Sequence, residues 1–410
     1  MGGEQEVRMR PFKRLISREA AMEIISAHIT RIDRVERVRL EEATERVLVE
    51  DTAARFNVPP FDRASMDGYA VRAEDTFGAS VSSPRRLGLI GVQHAGELFE
   101  GEVHPGECVQ VATGSPIPEG SDAVVMVEYT RLDGDEAEVQ KPAYPGANIA
   151  PEGEDMRGGE TAVRGGELLT PGRVGALAAL GIGSVAVYAK PTVAVISTGL
   201  EVRPLGSRLE PGQIYDINSY TLSAVISGNG CIPVRHGIVP DDRNAIEAAL
   251  WEAVGSDLVV FSGGSSVGTR DLLCDVIEGA GEVLFHGVQV KPGKPTLFGV
   301  VEGTPVFGMP GYPTSCLSNA HLFLAPALRM AACLPPREPR QVRARMAARV
   351  VSGSGREQFL TVRLEGGLAH PVLKRSGAIT SMAHADGYIV LPVNTDTVEE
   401  GEVVVVTLLG

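Results

Sequence analysis

The sequence is poor in the features that mark several common chemistries. Its five cysteines, Cys108, Cys231, Cys274, Cys316 and Cys333, are odd in number and scattered. No two form a C-x-x-C pair, which argues against a zinc site and suits a reducing compartment. The eight histidines form no H-E-x-x-H cluster. Positive charge is also short: 38 Lys and Arg face 52 Asp and Glu, a net charge of −14. Generic binding to nucleic acid or to an anionic membrane needs clustered cations and is not expected. A long hydrophobic run is missing too. The most apolar window, 174–187, holds Gly175, Gly181, Gly183 and Ser184 and stops near Lys190, too short to span a bilayer. The start, MGGEQEVRMRPFKRL, is charged and lacks the apolar stretch of a secretory signal, so a cytoplasmic location is expected. No cysteine has an evident histidine partner. Chemistry, if present, should be electrostatic and metal-assisted rather than covalent.

What is there is ordinary globular material: 43% hydrophobic and 22% charged residues over 410 positions, enough for two to four domains. Helical spacing runs over 17–32, and a second short helix is expected over 41–48. Residues 67–144 read as short strands and turns, a mainly β module. Residues 171–180 read as a helix with proline at its start. From 190 onward strands and helices alternate: strand 192–198, helix 218–227, strand 233–239, helix 245–254, strand 258–261, strands 298–301 and 305–310, and one long helix over 312–332. This pattern predicts a three-layer α/β domain with a largely parallel sheet. In such sheets ligands gather beyond the carboxyl ends of the strands, so the loops after Ser197, Val239, Phe261 and Met309 should share one face. Residues 334–339 (LPPREP) read as a linker, and the remainder as a small β module.

The central stretch is DLVVFSGGSSVGTRD, residues 257–271. A buried strand empties into Ser262, Gly263, Gly264 and Ser265, and Asp271 opens a helical pattern. Strand, Gly/Ser loop and helix start together form an anion cradle, or a tight turn with no ligand. The stretch is neither of the two common nucleotide fingerprints. Carboxylates crowd the loops just named: Asp62, Asp67, Asp155, Glu201, Asp216, Asp241, Asp242 and Asp271. Two of them within about 5 Å would repel by roughly 3 kcal/mol at an effective dielectric near 20, which a divalent cation would cancel. Mg²⁺ prefers one or two carboxylates with substrate phosphate and water, which points to Asp216 or Asp271. The alternative is structural: Asp241 as a helix N-cap and Asp216 as a turn residue. Lys291-Pro-Gly-Lys-Pro295 sets two cations on a stiff turn, able to hold an anion or simply solvated. Met309-Pro-Gly-Tyr-Pro-Thr-Ser315 leads into a helix and could add Ser315 to the same anion.

Taken together, PPFDRASMDGYAVR, VATGSPIPEGSDAVVMVE, GANIAPEGED, STGLEV, PGQIYDINSY, FSGGSSVGTRD, VKPGKPTLFG, GMPGYPTS and RSGAITSMAHADGYIVLP resemble one family, in its order, from about Pro59 to Pro392. It is the molybdopterin molybdenumtransferase family, the MoeA type shared with the E domain of gephyrin. The resemblance implies an elongated homodimer of four-domain subunits. Domain I would be discontinuous (1–50 and 146–187) and dimerising, domain II (51–145) mainly β, domain III (188–333) a three-layer α/β fold like the molybdopterin adenylyltransferases, and domain IV (334–410) a small β barrel. It implies hydrolysis of adenylylated molybdopterin with Mg²⁺ and insertion of metal from molybdate. The implied cleft takes Asp62, Thr113 and Asp155 from one chain and Glu201, Asp216, Asp271, Lys291 and Lys294 from the other. Glu201, Asp216 and Asp271 would organise Mg²⁺. Asp62, Asp155, Asp271 and the two lysines would be catalytic. Thr113, Asp216, the Ser262–Ser265 loop, Ser315, Arg363 and Ser376 would bind the pterin nucleotide or the oxyanion. The molybdopterin adenylyltransferase is an implied partner. Departures fall at Arg63 and Tyr312, each in place of Asn, at Cys274 in place of Lys, and in SGGSSVG for SGGVSVG. They bear on molybdate against tungstate. Rival readings are a gephyrin-like scaffold, a tungstate-preferring insertase and adenylyl transfer to molybdopterin.

Overall fold

The computed structural model describes residues 15–263, 272–353, 355–372 and 377–409. Asp271, Gly264, Ser265 and Ser376 lie outside them. The chain forms two compact units, 37–44 with 48–186, and the remainder.

The larger unit is built on a six-stranded sheet. Its strands are β1 (Thr192–Thr198), β2 (Ile232–Val239), β3 (Leu258–Ser262), β4 (Glu282–His286), β5 (Leu297–Val301) and β6 (Thr304–Met309), in the order β2-β1-β3-β6-β5-β4. The first four in that order are parallel; β5 and β4 complete the sheet antiparallel. The largely parallel expectation therefore holds for four strands. The tight Glu302-Gly303 turn returns the chain beside itself and forces an antiparallel pair. Helices cover both faces. Odd positions of β1 (Val193, Val195) join Val260 and Phe307 under α1 (Arg18–His28) and α2 (Asn218–Ser227). Even positions (Ala194, Ile196) join Val259 and Phe261 under α3 (Arg243–Ala253) and α4 (Leu272–Ala280). Alternation of side chains across a strand thus yields the three layers.

Two helical expectations need correction. The helix expected over 41–48 is only a 3₁₀ turn, Leu40–Glu42, because Glu45 takes a left-handed φ of 63°. The long helix over 312–332 is divided into α5 (Pro313–Asn319), a π turn (Ala320–Leu324) and α6 (Ala325–Ala331). Pro326 has no N–H for the carbonyl four residues back, and the wider turn absorbs the gap. The cap of α3 is Asp242, not Asp241; its Oδ1 accepts from the Asn244 and Ala245 N–H groups, both at 3.1 Å.

Five strands of the C-terminal segment close on themselves: Glu357–Glu365, Leu368–Pro371, Gln341–Met346, Val403–Leu408 and Gly387–Leu391, with the last pairing back to the first. Val362, Ala369 and Val406 fill this barrel. The smaller unit holds another six-stranded sheet, ordered Ala123–Met126, Gly68–Val71, Glu107–Val111, Arg85–Gln93, Glu136–Val139 and Thr130–Asp133. Among the described residues no helix is long and apolar enough to cross a membrane.

Candidate functional site

The register of the parallel strands brings their carboxyl ends level. Ser197 is opposite Ser262, Ser262 is opposite Met309, and Thr198 is opposite Val239. The loops after these strands therefore share one edge.

Asp216 reaches this edge from the turn before α2 and is 7% exposed. The Ser197 hydroxyl donates to its carboxylate, 3.0 Å from each oxygen, and the Ser219 N–H donates to Oδ1 at 3.0 Å. Two residues on, the Asn218 amide donates to Ser262 Oγ at 2.7 Å and to the Gly311 carbonyl at 2.8 Å. The start of α2 is thus tied to β1, to β3 and to the corner after β6. Asn218 Oδ1 is buried without a hydrogen-bond partner among the described residues. Gly263 follows at φ 97°, where a Cβ would sit 2.5 Å from the Thr198 carbonyl oxygen. Only glycine lets the chain turn there. Beneath, burial pushes the Cys316 thiol up to about 12, so it is no nucleophile.

Glu201 is exposed beyond β1. Asp241 lies within its field: partial burial raises the Asp241 carboxyl, and Glu201 raises it further by repulsion. Among the described residues no three His, Cys, Asp or Glu side chains cluster as a metal site.

Lys291 and Lys294 flank a turn tied to the core. Lys291 forms a short parallel pairing, Val290–Lys291 with Glu357–Gln358 of the barrel. The Lys294 carbonyl accepts from the Val288 and Thr296 N–H groups at 2.9 and 3.0 Å. Asn319 holds Gly293 from behind, its amide donating to the carbonyl at 2.7 Å. Ser315 is buried one turn earlier on the same helix. Six steps of α5 separate Pro313 from Asn319, so the lysine turn and the Gly311 corner are joined by a rod of about 9 Å. Arg363 is not brought to this turn. It stands five residues beyond Gln358 on the same strand, roughly 17 Å away, and is ion-paired with Glu365. It lines a separate open cleft of about 420 Å³ with His384 and Asp386.

In the smaller unit Asp62, Thr113 and Asp155 gather on adjoining loops. Arg63–Ala64 pairs with Ile149–Ala150, and Arg63 bridges to Pro116. Asp62 Oδ1 accepts from the Glu152 N–H at 2.7 Å, and the Asp155 N–H donates to Val58 O at 3.0 Å. Thr113 is already engaged: its N–H and hydroxyl donate to Asp67 Oδ1 at 2.7 and 2.8 Å. Those two bonds hold the Asp67 carboxyl below the usual range. Sequence reasoning missed Asn218 and Asn319, whose partners are distant in the chain.

Three family models match. Residues 16–181 match the MoeA N-terminal region (domain I and II), 194–330 a probable molybdopterin binding domain, and 343–409 the MoeA C-terminal region (domain IV). The molybdopterin molybdenumtransferase of Bacillus subtilis is 34% identical over 398 residues, covering 93% of this chain and 91% of that one. Molybdopterin molybdenumtransferase 2 of Mycobacterium tuberculosis is 37% identical over 343 residues, 82% of this chain and 84% of that one. The crystal structure of a molybdopterin biosynthesis MoeA protein from Pyrococcus horikoshii is 36% identical, covers 96% of this chain and 100% of that chain, and superposes with a TM-score of 0.83. On models that span nearly all of its length and relatives matched along most of theirs, the chain belongs to the MoeA family, the molybdopterin molybdenumtransferases.

Proposed function

We propose that this enzyme inserts molybdenum from molybdate into adenylylated molybdopterin, with Mg²⁺-dependent release of AMP, in molybdenum cofactor biosynthesis. The observation that carries the reading is one edge with two chemical ends. The Asp216 carboxylate and the Asn218 acceptor belong to one end, and α5 joins it to the two-lysine turn.

The oxygen-only donors at the first end suit a hard cation, and Asn218 Oδ1 is a buried acceptor that no described residue donates to. Mg²⁺ would be held there by Asp216 with Asp271 and Glu201, and would neutralise phosphate charge. Asp271 and Ser265 enter as proposals from the family pattern. Lys291 and Lys294 are assigned to the oxyanion, as compact point charges on a fixed backbone. Cations aimed at the leaving phosphate would supply most of the rate by preorganised electrostatics. Asp62 and Asp155 are assigned to pterin, metal or water. Thr113 can serve only through its remaining lone pairs, since its donors are committed to Asp67. The four-domain division, the homodimer, the cytoplasmic location and the adenylyltransferase partner belong to the same reading.

The test mixes purified chain with adenylylated molybdopterin and measures AMP and pterin-bound molybdenum. AMP release that needs both molybdate and Mg²⁺ is expected. Tight pterin binding with no release would sink the enzymatic reading and favour a scaffold. Product pterin–AMP from molybdopterin and ATP would point to adenylyl transfer, and release driven by tungstate but not molybdate to the other insertase.

A further inference from the structure

We propose that Asn319 is a positioning residue for the oxyanion: it sets the backbone from which Lys291 and Lys294 project. The proposal rests on the reading of those two lysines as the oxyanion site.

Asn319 and Thr296 are both fully buried, at 0% exposure. The Asn319 amide nitrogen donates to the Gly293 carbonyl at 2.7 Å and also bonds Thr296 Oγ1. Thr296 Oγ1 donates in turn to the Gly293 carbonyl at 2.9 Å. A carbonyl oxygen only accepts, so the amide orientation is determined by chemistry. The peptide between the two lysines is therefore gripped by two buried side chains. Gly293 has φ 110°, and a Cβ there would lie 2.4 Å from the Asn319 amide atoms. Glycine is what lets this grip close.

The arrangement is not the one that packing alone favours. Asn319 Oδ1 is left buried with no hydrogen-bond partner among the described residues, and unmet buried acceptors destabilise a fold. Local rules are broken in this way chiefly where a site requires it. A lysine side chain has four flexible carbons, so its ammonium can be aimed only if its Cα is held. Asn319 fixes the peptide that lies between the two lysines, from the helix that also carries Ser315.

The experiment measures molybdate retention by the full-length protein, by equilibrium dialysis with elemental analysis and AMP present. Asn319→Ala is expected to weaken molybdate retention at least tenfold while AMP retention changes less than twofold. Val406→Ala, a core truncation in the barrel, serves as a control for general destabilisation and should leave both unchanged. Wild-type molybdate retention in Asn319→Ala, with loss in Lys291→Ala and Lys294→Ala, overturns the proposal. Retention in the lysine variants as well overturns the underlying reading instead. If Asn319→Ala does not fold, Asn319→Leu keeps the branched shape, removes the donor and carries the same expectation. Hydrogen exchange on wild-type protein decides independently: the peptide over 290–297 should exchange as slowly as the adjoining core without any ligand. Exchange at the rate of an exposed loop contradicts the grip.

Discussion

Replacing Asp216 separates its structural work from its charge. The carboxylate is buried and accepts from the Ser197 hydroxyl and the Ser219 N–H. Asp216→Asn keeps the shape: Oδ1 can still accept from Ser219, and the Ser197 hydroxyl can turn to accept from the new amide. What is lost is the charge-assisted increment, about 1 kcal/mol, or a fall in Tm of about 2–4 °C for a domain of this size. Asp216→Ala leaves two buried donors unmet and should cost about 3 kcal/mol, roughly 6–12 °C. Thermal unfolding with AMP release at saturating Mg²⁺ reads both effects. The Asn variant should be nearly as stable as wild type and release AMP at least a hundredfold more slowly, a loss of about 2.7 kcal/mol of transition-state stabilisation. Full AMP release by Asp216→Asn would remove the carboxylate charge from the mechanism. An Asp216→Ala protein that melts with the wild type would refute the bonding argument itself.

Gly263→Ala places a Cβ 2.5 Å from the Thr198 carbonyl at φ 97°; it should cost about 1–3 kcal/mol in a urea titration, and an unchanged midpoint would contradict the close approach. Asp257 gives a pH signature. Burial raises its carboxyl, but the fork from Arg34 at 2.8 Å and the Thr192 N–H at 2.7 Å outweigh this and hold it below its ordinary value. A lowered carboxyl contributes stability above its unfolded pKa of about 3.9, lost as pH falls through the folded value. Asp257→Asn should therefore flatten the acid limb of stability against pH below about 4, measured by urea midpoints; an unaltered limb would refute the assignment.

Much of the α/β domain was legible because its apolar runs end at glycine, proline or aspartate. Strand Thr192–Thr198 and helix Asn218–Ser227 are bounded where the pattern places them. The shared edge of loops follows from parallel strands alone. Strand Arg85–Gln93 falls within the segment read as short strands, though two arginines and two glycines in RRLGLIGVQ blur its period of two. Strand Glu282–His286 was missed because EVLFH is short and follows a helix directly. A single left-handed residue, Glu45, and a proline at the second position of α6 undo helices that the periodicity supports. At the site, residue types could be read but not their commitments. That Thr113 is spent on Asp67, or that Asn319 grips Gly293, depends on pairings 46 and 26 residues apart. Arg363 illustrates the reverse: the family resemblance implied an anion ligand, and strand geometry places it roughly 17 Å from the Lys291 pairing.

The most direct measurement is anomalous scattering at the molybdenum edge from crystals soaked with AMP and molybdate. The expected result is a molybdenum peak whose oxygens lie about 3 Å from the Lys291 and Lys294 ammonium groups. An ordered peak elsewhere, with the turn at 291–296 bare, would contradict the assignment of the oxyanion site.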